Sequence, residues 1–185
     1  MDFDCFIGVG GSSIVAAACA CKFDSNKAKL LFASLYLSTS GYGWNEANMK
    51  KVMEEGLPLG NLESLKSILK LAFGEIKLKD VPLAIVAYNM TNRRIEMIRG
   101  SDMSVVDAII ISVSMPGYYF PTYYQGSQYI DSTPVNRFPI DIVPIEEEVY
   151  SIYIRSVSYT TIEEIISAST KPWQDIVADM VIDPN

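Results

Sequence analysis

The residues best suited to chemistry lie at the start of the chain. The stretch FDCFIGVGGSSIVAAACACKF, Phe3 to Phe23, runs an apolar strand into Gly8-Val9-Gly10-Gly11-Ser12 and straight on into an alanine-rich helix. Strand, sharp glycine turn and buried helix are how many hydrolases hold up a nucleophilic serine. Here the middle position is Gly10, which has no side chain to acylate. Gly8, Gly10 and Gly11 are open to two readings. One is a turn that needs positive φ or close packing; the other is a nest of backbone amides at a helix N-terminus, fit for a phosphate or an oxyanion. Ser12 is a shifted serine candidate with glycine two places before it, but Ile14 stands where the second glycine belongs. As a helix N-cap, Ser12 or Ser13 has a structural role instead. No Lys-Ser or Lys-Thr follows, so the turn is not a nucleotide phosphate loop.

The composition limits which base such a site can use. The 185 residues include no histidine. That excludes Ser-His-Asp and Cys-His units and imidazole-dependent zinc sites, leaving a carboxylate, amine, thiol or hydroxyl as base. No metal and no cofactor are expected. Fifteen basic residues against 22 acidic give a net charge of -7, which argues against a nucleic-acid partner. Cys5, Cys19 and Cys21 sit among apolar residues and are expected as buried, reduced thiols. The N-terminus starts acidic, unlike a secretory leader. The apolar run Ile14 to Ala20 is too short for a bilayer, which needs about 20 residues. The expected setting is intracellular and cytoplasmic, at most peripheral to a membrane.

The elements that must position the turn read as alternating strands and helices in a single domain, 1–185. Phe3 to Val9 is a central strand, and Ser13 to Lys22 a close-packing helix. Ser25 caps a helix to about Leu37, Asn45 caps one to Glu55, and Asn61 caps LESLKSILKLAF, which ends at Gly74. VPLAIVAYNMTNRRIEMIRG is a strand, a turn at Thr91-Asn92 and a second strand. DMSVVDAIIISVSMPG is a helix begun near Asp102 or Ser104 and stopped by Pro116-Gly117. GSQYID and EEVYSIYIRSV are further strands, and Ile162 to about Val181 is a helix that Pro172 divides. The class is α/β, a three-layer sandwich.

Two separated segments carry a resemblance. FDCFIGVGGSSIVAA is an aromatic-Asp-apolar strand leading into the elbow. DAIIISVSMPGYYFPTYYQGSQYIDSTPVNRFP holds Asp107-Ala108, Ser112, Pro116, Phe120-Pro121, Gly126, Tyr129, Asp131, Asn136 and Pro139 in order. Together they resemble the patatin-like phospholipase family over about residues 3 to 140. The resemblance implies a Ser-Asp dyad acting on lipid esters, with the serine at position 10 and Asp131 as base, and an upstream glycine-rich loop supplying oxyanion donors.

Three departures run against that chemistry. The serine position is Gly10, the final elbow glycine is Ser12, and the usual Asp-Gly is Asp131-Ser132. The chain also begins at the elbow strand, so the oxyanion loop is expected to be missing and the fold truncated at its N-terminus. The expected protein is a degenerate, non-catalytic family member with Asp131 as remnant base and Gly8, Gly11 and Ser12 as the elbow remnant. Its expected partners are a lipid or membrane surface, a protein, or further copies of itself. The alternative is a serine acyl hydrolase silenced by glycine at position 10. The aromatic cluster Tyr118, Tyr119, Phe120, Tyr123 and Tyr124 is open to two readings, a turn packed beneath the helix or a membrane-interface patch.

Overall fold

The computed structural model describes residues 3–39, 50, 52, 54–136, 140–143 and 150. The chain divides into two units, Met1–Ile142 and Val143–Asn185, and every described helix and strand belongs to the first. The strand expected at 147–157, apart from Tyr150, the helix expected at 162–181 and the cap at Asn45 lie outside the described residues.

The elements run in the order β1 (Phe6–Val9), α1 (Ser12–Ala20), α2 (Ser25–Thr39), α3 (Leu62–Phe73), β2 (Leu83–Asn89), β3 (Arg94–Arg99), α4 (Val105–Ser112), β4 (Thr122–Tyr124) and β5 (Ser127–Ile130). Strand β2 is buried along both faces, from Leu83 to Ala87, as its unbroken apolar run requires. It pairs in parallel with β1, Phe6 opposite Leu83 through Val9 opposite Val86. On its other edge it pairs antiparallel with β3, Ala84 opposite Arg99 through Asn89 opposite Arg94. Beyond β1 the first edge is taken over by β5, with Tyr88 opposite Ile130 and Asn89 opposite Tyr129. Hence β1 and β5 approach one another head-on along the same edge of β2, and the gap between their tips lies beside Ala87.

One face of the sheet carries the core. Leu83, Ile85 and Ala87 alternate along β2 and pack with Ile14 and Ala17 of α1, Leu31 and Leu35 of α2, Leu69 and Phe73 of α3, and most of α4. Helix α4 is apolar up to Ser112 except at Asp107, which pairs with Lys66 at 2.7 Å; its other residues from Val105 to Ser112 are buried, as in a helix largely enclosed by other elements. Helix α3 is amphipathic instead, burying Leu65, Leu69 and Phe73. Its Phe73 ring stacks on Phe23 at 4.9 Å. The mixed sheet and its packed helices give the α/β class expected, and the described helices lie with the Leu83 face.

Local signals account for most boundaries. Asn61 accepts the Glu63 N–H at 2.8 Å, and Ser104 accepts the Asp107 N–H at 3.0 Å, so both are N-caps. Gly74 ends α3 with φ of 60°. Helix α2 corrects the expected cap at Ser25: Asp24 Oδ1 accepts both the Asn26 and Lys27 N–H groups at 2.9 Å. Strand β4 lies where the sequence suggested only an aromatic turn. Gln125 and Gly126 both adopt positive φ, 47° and 80°, the two-residue turn whose twist suits a tight hairpin. Tyr124 packs on the core, whereas Phe120 and Tyr123 are exposed. All three cysteines are free thiols. Cys19 is exposed and the other two half-buried, against the expectation of buried thiols. Cys19 follows Ala18 on α1, and its position turns it away from the packed Ala16–Ala17–Ala20 side.

Candidate active site

The gap between β1 and β5 brings the two candidate positions together. Gly10 follows Val9 at the tip of β1, and Asp131 follows Ile130 at the tip of β5. A Cβ built on Gly10 would lie 2.8 Å from Asp131 Oδ2, 3.1 Å from Oδ1 and 3.2 Å from the Thr133 methyl. The carboxylate therefore fills the space that any side chain at position 10 would enter. Gly10 is itself buried and has φ of 55°, a conformation that glycine adopts without steric cost and other residues resist.

Each glycine of the turn has a different reason to be there. A Cβ on Gly8 would overlap the Cα of Ser13 and stand 3.1 Å from the Ala16 Cβ. Gly8 is thus what lets α1 lie against β1, the close-packing role open to the turn glycines in the sequence. Around Gly11 nothing lies within 4 Å of a built Cβ, and its φ of -58° is ordinary. Gly11 is the residue at the N-cap of α1, with no side chain to cap it. That corrects the expected cap at Ser12 or Ser13, both of which are inside the helix. The Ser12 hydroxyl donates to Val9 O at 2.7 Å and accepts the Val9 N–H at 3.0 Å, so its proton is committed to a carbonyl rather than to a base. Ser13 is buried, and its hydroxyl donates to Gly10 O at 2.6 Å.

Two residues whose roles the sequence did not reveal complete the site. Ser112, the last residue of α4, accepts the Gly10 N–H at 2.9 Å and donates to Val86 O at 2.7 Å. It pins the turn to the central strand. Its signal was a lone hydroxyl closing a helix whose other residues, Asp107 apart, are aliphatic, and such a hydroxyl must find partners once buried. Thr133 donates its N–H to Asp131 Oδ1 at 2.9 Å, the local turn geometry in which Asp accepts from two residues on. Asp131 also donates its N–H to Ser114 O at 3.1 Å. Beside it, the fully buried Ser132 hydroxyl has no partner among the described residues.

The electrostatics follow from that poverty of donors. Asp131 is 3% exposed. Burial pushes its carboxyl above the ordinary value, and Thr133, through its N–H and its side chain, offsets this only in part. No cation pairs with it among the described residues, nor do those residues contain a group of three or more side chains fit to hold a metal.

An α/β sheet that sets a glycine elbow against a buried aspartate defines a hydrolase-type scaffold. The sequence profile of the patatin-like phospholipase family matches residues 1–144, and the chain belongs to that family. A search of curated proteins finds no match to it. None of the described helices is long and apolar enough to cross a membrane.

Proposed function

We propose that this protein is a non-catalytic member of its family, working as a lipid-associated or protein-interaction module inside the cell. The observation that carries the reading is the elbow itself. Position 10 offers no oxygen, and an Asp131 carboxylate oxygen lies 2.8 Å from where the Cβ of a nucleophile would be. An activated nucleophile requires a hydroxyl or thiol within hydrogen-bond reach of its base. Three nearby hydroxyls are engaged elsewhere, Ser12 with Val9, Ser13 with Gly10 and Ser112 with Val86, while the Ser132 hydroxyl beside Asp131 is fully buried and without a partner among the described residues. Free thiols suit a reducing compartment. The test is hydrolysis of p-nitrophenyl acyl esters by the purified chain. No turnover above buffer is expected, and turnover abolished by Asp131→Ala overturns the reading.

A second reading has one observation in its favour. The left-handed turn and the adjacent carboxylate keep the geometry of a dyad that lacks only its hydroxyl. On that reading the protein is a serine acyl hydrolase silenced at position 10, and Gly10→Ser restores cleavage of a phospholipid substrate. On ours, Gly10→Ser stays silent with an intact circular-dichroism spectrum, because a side chain there must first displace the carboxylate that should activate it.

A further inference from the structure

Helix α2 presents an apolar face to solvent. Leu31 and Leu35 point into the core, at 4% and 8% exposure, while Leu30, Tyr36 and Leu37 are each more than 70% exposed and Phe32 is 38% exposed. With exposed Ala33, they make every exposed residue from Leu30 to Leu37 aliphatic or aromatic. Single exposed leucines are ordinary, but a contiguous group on one helix marks an interaction surface. The charge beside it is equally one-sided. Lys22, Lys27 and Lys29 face solvent at the start of the helix with only Asp24 among them. That is a surplus of two positive charges in a chain whose net charge is -7. From Leu30 to Asn45 the sequence holds no charged residue at all. Asp24 is occupied in capping the helix, Lys27 lies 3.7 Å over the Phe23 ring, and Lys22 and Lys29 make no ion pair among the described residues.

We propose that this face of α2 docks the protein onto an anionic lipid surface, a choice of occupant that rests on the lipid-associated reading above. A helix lying in a bilayer interface needs leucine and aromatic side chains to enter the acyl boundary and lysines to meet anionic headgroups. Exposed Leu30, Phe32, Tyr36 and Leu37 supply the first, and Lys22, Lys27 and Lys29 the second. A second copy of the chain is a poorer occupant. Two such helices paired on each other offer their lysines no acidic partner, because α2 contains no Asp or Glu.

Vesicle sedimentation of the full chain tests this, comparing phosphatidylcholine alone with phosphatidylcholine containing about 30% phosphatidylserine. Binding is expected to the anionic vesicles only, and to weaken as salt is raised from about 0.05 to about 0.5 M. Leu30→Ser with Leu37→Ser should reduce it about tenfold or more. Lys22→Gln with Lys29→Gln touches no buried group and should remove the preference for phosphatidylserine. Absence of binding to anionic vesicles, or binding unchanged in both folded variants, overturns the proposal. So does a dimer in light scattering that the leucine variant dissolves, which would assign the face to a second copy. Ester turnover by the native chain would instead count against the non-catalytic reading while leaving vesicle binding as measured.

Discussion

Asp131 and Glu96 are both carboxylates set into the same sheet, and the protein treats them in opposite ways. Glu96, on β3, accepts four hydrogen bonds: from Arg94 Nε at 2.8 Å, Asn89 Nδ2 at 3.1 Å, the Tyr129 hydroxyl at 3.1 Å and Asn92 Nδ2 at 3.3 Å. Burial by itself would raise its pKa, but these donors outweigh it and the carboxyl lies below its ordinary value. Asp131 is buried more deeply and draws its donors from Thr133 alone, so there burial wins and the carboxyl is raised. A donor-rich carboxylate ties a hairpin together. One left poor in donors costs stability, and here it faces Gly10 in the glycine turn.

The largest effect expected from breaking this contrast is on the scaffold side. Glu96→Ala leaves Asn89, 1% exposed, and the Tyr129 hydroxyl without their acceptor. Stranding buried donors in this way costs about 2–4 kcal/mol. Urea unfolding should show that loss, and the melting temperature should fall by roughly 5–10 °C. A loss no larger than that of an exposed surface change would mean that the network does not hold β2, β3 and β5 together.

Next in size is the elbow. Gly10→Ala adds a Cβ against the Asp131 carboxylate and forces alanine into a left-handed conformation, for a combined cost of about 1–2 kcal/mol. In an Asp131→Ala background the steric part disappears and about 1 kcal/mol of backbone strain remains. The non-additivity of that double-mutant cycle measures the contact directly. Equal costs in the two backgrounds would place the carboxylate away from position 10 in solution.

The sequence made some of this contrast visible and concealed the rest for physical reasons. The strand-turn-helix at Gly8 to Ala20 was legible because local chemistry dictates it: an apolar run, glycines, then alanines. The caps at Asn61 and Ser104 were legible for the same reason. That Gly10 and Asp131 meet was available only through the family resemblance, since about 120 residues separate them and the contact is made by two strands sharing one edge of β2. The Glu96 network was not foreseen. Its members Asn89, Asn92, Arg94 and Tyr129 look like ordinary hairpin polar residues until pairing sets Asn89 beside Tyr129. Strand β4 was missed because its turn, Gln125-Gly126, needs a non-glycine residue at positive φ, which residue type announces poorly. Asp24 rather than Ser25 caps α2 although both residue types serve, because one-residue boundaries of this kind are decided by the backbone's path into the helix.

The smallest expected effect is the most diagnostic, because its sign is opposite to that of the matching change at Glu96. Asp131→Asn removes a buried charge yet keeps an oxygen for the Thr133 N–H, so it should stabilise the protein at neutral pH by about 0.5–1 kcal/mol. A carboxyl whose folded pKa exceeds its unfolded value, about 3.9 for Asp, binds its proton more readily in the native state. Its burden on stability is therefore absent below the unfolded pKa. The burden grows as pH rises towards the folded pKa and is constant above it. The gain from Asp131→Asn should accordingly be present at about pH 7 and shrink on acidification towards pH 4 and below. Glu96 works the other way. Its folded pKa is depressed, so its contribution is present above the unfolded value and is lost as pH falls through the folded one, and Glu96→Gln should destabilise at neutral pH. Urea midpoints at the two pH values decide between these slopes. If Asp131→Asn also destabilises at neutral pH and the loss fades in acid, Asp131 is a structural carboxylate of the same kind as Glu96 and the distinction between site and scaffold collapses.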